Sequence, residues 1–261
     1  MVKKRPGPMA YCLGGFLLLV IIAPFFQVIL ASFLDEGQVT LKPYYRVFLG
    51  SPAYLLSFWH TLALCTFVVA GQTILSLFSG LAFAKLPFPG REVCFFLLII
   101  VMVLPVQVTL VPNYRILENL SLLNTQWAVI FPAVFAPLGT FLMTQAFRSI
   151  PQEVLEAAQL DGANLVEILW KICTPMSKSG TATVMLLSFL GAWNMVEQPL
   201  AYLQEVKKYP LPVSLAYIRN DDLSVQLVCC LLTWIPPVLL FLRFRSHLVE
   251  GIALVEKGGP L

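Results

Sequence analysis

Charged residues are scarce in this sequence, which excludes the class of protein that a chain of 261 residues would first suggest. They make up 12% of the chain, whereas hydrophobic residues make up 58%. Soluble domains average about 25% charged residues, because the surface that covers their apolar core faces water. Here the charges stand between long apolar blocks. The composition therefore indicates a chain whose main solvent is the lipid bilayer.

Several motifs are also missing, and each absence removes a class of function. There is no GxxxxGK[ST] phosphate loop, so ATP is not expected to bind this chain. With two histidines, no HExxH, and six cysteines without a CxxC pair, the sequence predicts no metal site and no disulfide. No GxSxG elbow occurs, which argues against an enzyme. The net charge of +3 lacks clustered basic and aromatic residues, which argues against nucleic acid as a partner.

What the sequence does contain is six apolar windows, each long enough to cross a membrane. Backbone amides in lipid must be hydrogen-bonded within their own segment, so each window should be an α-helix. The predicted fold is therefore an all-α membrane protein, with one transmembrane domain over residues 1–261. Prolines within the windows are expected to kink or break some helices. The windows are 11–33, 60–83, 93–111, 125–147, 180–203 and 225–242, and the prolines are Pro24, Pro105, Pro132, Pro137, Pro236 and Pro237.

Basic residues predict how these spans are oriented. Lys85, Arg91, Arg148 and Lys171 all fall on the side of the membrane that also holds both termini. Cytoplasmic loops carry an excess of lysine and arginine, so both termini are predicted to be cytoplasmic. This topology is typical of a protein of the bacterial plasma membrane.

The long loop between the fourth and fifth spans, residues 148–179, predicts two short helices. Ser149 and Gln152 have capping-box spacing, Pro151 is expected in the first turn, and Gly162 suits a helix stop. From periodicity alone, a docking site for another protein and a pair of amphipathic helices at the membrane surface remain equally open. The apolar positions that follow helical periodicity are Ile150, Val154, Ala157 and Ala158 in the first stretch, and Leu165, Ile168, Leu169 and Ile172 in the second.

The residues of this loop resemble a known signature. Glu156-Ala157-Ala158 is followed by Gly162 and then by Ile172 and Pro175, with the spacing found in permease subunits of ATP-binding-cassette importers. The one departure is Thr174, where that family usually has leucine. Asp161 before the glycine, together with the flanking sequence, is similar to the carbohydrate branch of the family, the maltose-type permeases. The resemblance implies import of a sugar or a sugar-derived solute.

The family resemblance also implies partners and roles for the loop residues. Glu156 would make polar contacts in a groove of the ATPase, Ala157 and Ala158 would allow close packing, and Gly162 would allow a sharp turn. The segment from Ile172 to Pro175 would tie the loop back to the fifth span. The implied partners are a second permease subunit, identical or not, two ATPase subunits that hold ATP and magnesium, and an external solute-binding protein. No cofactor is expected in this chain itself.

A polar cluster in the fifth window is the candidate solute site. Trp193, Asn194, Glu197 and Gln198 lie close together there, and polar groups within a membrane usually face a cavity or another helix. Aromatic rings and amides suit a sugar, yet interhelical hydrogen bonds and an interfacial carboxylate would explain the same residues. Two further classes of function stay open, an ATP-independent secondary transporter and a membrane scaffold. The first should show an internal repeat and charges at the midplane, which the sequence lacks.

Overall fold

Helices account for most of the residues that the structure describes. The computed structural model describes residues 8–35, 37–50, 53–217 and 223–257. The helices in chain order are α1 Pro8–Ser32, α2 Lys42–Tyr45, α3 Ala53–Lys85, α4 Arg91–Val103, α5 Val106–Asn119, α6 Trp127–Val134, α7 Pro137–Arg148, α8 Gln152–Leu160, α9 Leu165–Glu167, α10 Thr174–Met176, α11 Lys178–Trp193, α12 Glu197–Tyr202, α13 Leu211–Ser214 and α14 Leu223–Lys257.

The remaining regular elements are short. A two-stranded antiparallel hairpin pairs β1, Leu34–Asp35, with β2, Gln38–Val39, and Gly37 in its turn has φ +81°. The left-handed backbone of this turn suits glycine, which has no Cβ. Two π-helical and two 3-10 stretches complete the described elements: Arg46–Gly50 and Ile168–Cys173, then Val206–Lys208 and Leu215–Tyr217.

Four described segments are long and apolar enough to cross a membrane, and a fifth would join them if the bent pair α4 and α5 counts as one span. The four are Leu13–Ser32, Ala53–Lys85, Trp127–Arg148 and Leu223–Ser246. They coincide with four of the six predicted windows. The third, fourth and fifth predicted windows are each interrupted, and each interruption has a local cause. In the fourth window, α6 and α7 are separated at Phe135 and Ala136, and Ala136 is extended just before Pro137, one of the prolines expected to break a helix.

The third window breaks where α4 meets α5, with a bend of 107° between the two helices. Leu104 is extended, at φ −64° and ψ 133°, and Pro105 precedes the first residue of α5. A proline ring clashes with helical backbone at the preceding residue, which explains the extended Leu104. The expectation that Pro105 would kink or break a helix is therefore confirmed, and the third window holds two helices.

The fifth window is interrupted between Trp193 and Glu197, so α11 has 16 residues and α12 has six. The Asn194 side chain donates to the Leu190 carbonyl at 2.9 Å, which competes with continued helix. Pro199 has no amide hydrogen and would clash with the carbonyl four residues earlier in an unbroken helix. A broken helix at this point puts Glu197 at the start of a new one.

The chain divides into two compact units, one of residues 1–56 with 215–235 and one of residues 57–214 with 236–261. In the smaller unit, the hydroxyls of Ser32 and Tyr44 are hydrogen-bonded at 2.9 Å, and Arg46 pairs with Asp35 at 3.4 Å. These contacts hold the segment that follows α1.

The larger unit is built on close contacts between helices. A Cβ on Gly80 of α3 would lie 2.6 Å from the Cβ of Met143 in α7, and one on Gly180 of α11 would lie 2.7 Å from the Cβ of Ala146. Small residues at such contacts let helix backbones approach. One apolar core joins these helices to the loop after α7, and its described buried members are Leu77, Leu81, Met143, Ala146, Phe147, Ile150, Leu155, Ile168, Leu169, Cys173 and Val184.

Candidate docking loop and solute cavity

The loop after α7 begins differently from the predicted capping box. The Ser149 hydroxyl donates to the Ala146 carbonyl at 2.7 Å, and α8 has no side-chain cap. Ser149 still has helical backbone angles, which direct its hydroxyl back along α7. Pro151 lies just before the first residue of α8, not within its first turn, and its fixed φ of −58° sets the entry of the chain.

Helix α8 has one buried anchor and a broad exposed face. Leu155 is 4% exposed and belongs to the core, and Ala158 is half-buried against it. Glu156 and Ala157 are exposed, and Leu160 is 89% exposed. The predicted apolar set is therefore divided between two sides, since Ile150 is buried whereas Val154 is exposed, and Leu155 was missing from it. An anchored helix with exposed alanine and leucine can receive another protein surface.

Helix α8 ends in a tight turn at Asp161 and Gly162. Gly162 has φ +85°, and its amide donates to the Gln159 carbonyl at 3.0 Å. The Ala163 amide donates to the Ala158 carbonyl, also at 3.0 Å. This is the pattern in which glycine ends a helix, because any other residue meets strain at that φ. The predicted helix stop is thus present at Gly162.

The second predicted helical stretch begins with a capping box that the sequence interpretation did not identify. Asn164 accepts from the Glu167 amide at 2.9 Å, and Glu167 accepts from the Asn164 amide at 3.1 Å. Lys171 donates to Glu167 at 2.8 Å, and these contacts lower the pKa of Glu167, with Lys171 as the largest cause. Asn-x-x-Glu ahead of an apolar run was the signal that could have located this start.

The stretch continues as the π-helix Ile168–Cys173, and this segment fastens the loop to the core. Of the four residues predicted to share one apolar face, Ile168 and Leu169 are buried, Ile172 is half-buried, and Leu165 is 48% exposed. Burial also raises the pKa of the Cys173 thiol. Pro175 follows in α10 and is exposed. The segment therefore connects the turn at Gly162 with the start of α11.

Two polar contacts tie the start of the loop to neighbouring helices. The Lys85 ammonium at the end of α3 donates to the Ile150 carbonyl. The Arg148 guanidinium at the end of α7 lies over the ring of Phe95 in α4, 4.7 Å from its centroid. A cation above an aromatic face is attracted by the ring quadrupole. The entry to α8 is thus held to both α3 and α4.

A cavity of about 890 Å³ is lined by residues of α3, α4, α5, α6, α7, α11 and α12. Asn194, Glu197 and Gln198 line it, so the structure brings together three of the four predicted solute residues. Trp193 is not on its wall. That side chain is 1% exposed, stacked on Phe189 at 5.4 Å and edge-on to Phe58 at 5.8 Å. Trp193 is a packing residue behind the wall.

Other helices supply polar groups that sequence reasoning missed. The Gln107 side-chain amide donates to the Glu197 carboxylate at 2.8 Å and so joins α5 to α12. Gln72 lines the cavity from α3, and its amide donates to the Ala136 carbonyl at 3.3 Å. Asn113 lines it from α5. A polar side chain within an apolar window was the available signal, but it does not indicate which windows meet.

Comparison with known proteins decides the family. A family model described as binding-protein-dependent transport system inner membrane component matches residues 72–248. The chain belongs to this family. The resemblance found in the loop motif is therefore confirmed, and the chain is a permease component of an importer in the inner membrane.

Curated relatives of this permease match nearly its whole length. The arabinooligosaccharides transport system permease protein AraQ of Halalkalibacterium halodurans is 27% identical over 97% of this chain and 98% of the relative. The sn-glycerol-3-phosphate transport system permease protein UgpE of Yersinia pestis is also 27% identical, over 98% of this chain and 100% of the relative.

A solved structure shares the fold of this permease. It belongs to a bacterial ABC transporter involved in the import of the acidic polysaccharide alginate, with a TM-score of 0.81 and 22% identity. The match covers 91% of this chain and 94% of the other. At this identity the likeness establishes the fold alone.

Thr174, the one departure from the family signature, leads to a stability prediction for this permease. Its hydroxyl oxygen is buried, and no described residue is hydrogen-bonded to it. A buried hydroxyl without a partner costs about 1–3 kcal/mol. We expect Thr174→Val, which keeps the shape and removes the hydroxyl, to raise the free energy of unfolding by about 1 kcal/mol.

Thermal unfolding of the purified permease in detergent measures this effect. Thr183→Val is the matched control, because the Thr183 hydroxyl donates to the Ser179 carbonyl at 2.8 Å. The control should not gain stability. An unchanged or lower melting temperature for Thr174→Val would show that its hydroxyl is satisfied.

Proposed function

We propose that this chain is the membrane permease of an ATP-driven importer of a sugar or sugar-derived solute, and that loop 148–179 docks the ATPase. The observation that carries the proposal is α8, which is anchored through Leu155 and presents Glu156 and Ala157 to solvent. A short helix whose one face is anchored in the core, and whose other face carries a small side chain, can enter a groove on another protein. It also passes on the movement of whatever binds it.

The docking proposal extends to the residues around α8. Asp161 and Gly162 make the turn that returns the chain toward the core, with Gly162 at φ +85°. Ile172 lies within the π-helix Ile168–Cys173, and Pro175 follows it in α10, so the two residues lie on the path from the turn to α11. A displacement of α8 by its partner would then be transmitted to α11 through the apolar core. It would be transmitted to α7 through the end of the loop at Arg148. Ala158, half-buried beside Leu155, keeps α8 close to that core.

We further propose six spans with both termini in the cytoplasm. The α4 and α5 pair would form the third, and α11 with α12 the fifth. At 1.5 Å per residue, the 16 residues of α11 cover about 24 Å, less than a hydrocarbon core of about 30 Å. The six residues of α12 supply the remainder. Broken helices within a membrane are tolerated where they line a cavity, as α5 and α12 do here.

The proposed assembly contains a second permease, two ATPase subunits and an external solute-binding protein. ATP and magnesium would bind the two ATPase subunits. Closure of this ATPase pair would draw together the docking loops of the two permeases and open the solute pathway to the outside. A ligand can drive such a change only if it binds the two conformations with different affinity. ATP would do so by binding the closed ATPase pair more tightly than the open one. The names of the relatives, which refer to arabinooligosaccharides and to sn-glycerol 3-phosphate, support an oligosaccharide or a small polyol derivative as solute.

Affinity purification from the native membrane in mild detergent tests the docking role. We expect the tagged chain to bring down an ATPase, and Glu156→Ala combined with Gly162→Pro to lose it, because proline cannot adopt the φ of Gly162. Glu118→Ala, in α5, is the matched exposed-glutamate control and should retain the ATPase. An ATPase bound equally well by the double variant would refute docking through α8, and no ATPase with the wild type would refute the importer itself.

A further inference from the structure

The cavity has an unbalanced charge. Apart from apolar groups, its described lining consists of amides, hydroxyls and a single carboxylate, that of Glu197. No lysine, arginine or histidine is among the described residues that line it. A bound anion would therefore find no opposite charge on this wall. Amide and hydroxyl groups, by contrast, both donate and accept hydrogen bonds.

Glu197 is held in a defined place on the wall. It begins α12 after the break that follows Trp193, and its Oε1 accepts from the Gln107 side-chain amide of α5 at 2.8 Å. Glu197 remains exposed and lines the cavity. Gln107 thereby acts as a positioning residue for the only charge on the described lining.

We propose that this permease admits uncharged, hydroxyl-rich sugars and rejects acidic ones, and that Glu197 sets this selection. The inference rests on the proposed function and narrows its substrate class. A sugar hydroxyl that leaves water can donate to the carboxylate and exchange hydrogen bonds with the amides. A carboxylated or phosphorylated sugar would lose hydration and meet a like charge, with no cation on this wall to offset either loss.

Charged thiol reagents test the selection without knowledge of the solute. Gly191 lines the cavity, and a Cβ there would meet nothing within 4 Å, so Gly191→Cys places a thiol on the wall without a clash. In the complete purified complex, its labelling by cationic trimethylammonioethyl and anionic sulfonatoethyl methanethiosulfonate would be measured, relative to their rates with 2-mercaptoethanol. The same complex without Gly191→Cys gives the background from native cysteines.

We expect the cationic reagent to react about tenfold faster than the anionic one, because a single-sign cavity concentrates counter-ions. Glu197→Gln should bring this ratio close to one, and Glu197→Lys should invert it. Equal normalised rates for both reagents, or a ratio that Glu197→Gln leaves unchanged, would overturn the inference.

Transport by the co-purified complex in proteoliposomes, with its binding protein added, provides the second readout. The probes are a neutral arabino-oligosaccharide, sn-glycerol 3-phosphate and an oligosaccharide of alginate. We expect only the neutral probe to be imported. Import of an acidic probe at a comparable rate would refute the selection and leave the importer proposal standing. If no ATPase accompanies the permease, the importer proposal fails, and the reagent ratio still decides the charge of the cavity.

Discussion

Replacing Gly80 by leucine is expected to prevent this permease from accumulating as a folded protein. A Cβ at Gly80 would lie 2.6 Å from the Cβ of Met143 and 3.0 Å and 3.1 Å from backbone atoms of α7. Met143 is fully buried, so neither helix can yield without opening the core. Overpacking of this kind costs about 1–3 kcal/mol and sometimes more, and leucine adds further atoms at the closest point.

Membrane yield, chromatographic monodispersity and melting temperature would measure the loss. Gly80→Ala should give a milder but clear fall in melting temperature, because its single methyl group already meets backbone. Gly15→Leu in α1 is the matched control, since a Cβ there meets nothing within 4 Å, and it should fold normally. Wild-type yield and stability for Gly80→Leu would mean that α3 and α7 are not in this close contact.

Ala157→Trp is expected to abolish solute uptake while the permease stays folded. Ala157 is exposed on α8, so an indole at this position displaces no core atom. It would, however, hold the proposed ATPase surface away from α8 by the thickness of a ring. With the contact between α8 and the ATPase displaced by this distance, we expect ATP hydrolysis to be uncoupled from the movement of the membrane spans.

Uptake, ATPase co-purification and melting temperature should be measured on the same preparations. Ile116→Trp, at an exposed apolar position of α5, is the matched control of equal bulk and should transport normally. Normal uptake by Ala157→Trp would count against α8 as the docking element. A lowered melting temperature would instead indicate that Ala157 contributes to folding.

The positions of the membrane spans followed from composition alone, but their continuity did not. Leu13–Ser32 and Ala53–Lys85 coincide with predicted windows, because length and apolarity are local properties of the chain. The break before Pro105 had a visible signal. The break at Asn194 depends on a side chain that donates to a carbonyl of its own helix, and on Pro199, which was not among the prolines expected to break a helix.

In the loop, the turn could be predicted but the anchoring could not. Glycine at position 162 indicated a helix stop, and α8 ends just before it, with Gly162 at φ +85°. The anchor of α8, Leu155, was absent from the predicted apolar set. Helical periodicity shows which residues share a face of the helix, but it does not show which face packs against the core. Two neighbouring sets of positions on α8 therefore fit the pattern equally well.

The sequence by itself determined that this protein is an α-helical protein of the lipid bilayer, and it determined the family. Both follow from local features, which are the length of the apolar segments and the motif from Glu156 to Pro175. Only the tertiary structure decided which polar groups share a cavity. Gln72, Asn113 and Glu197 are far apart in sequence, and they line one cavity because α3, α5 and α12 converge on it. The same packing moved Trp193 behind the wall. Contacts between distant helices depend on how whole surfaces fit, and no local pattern encodes that fit.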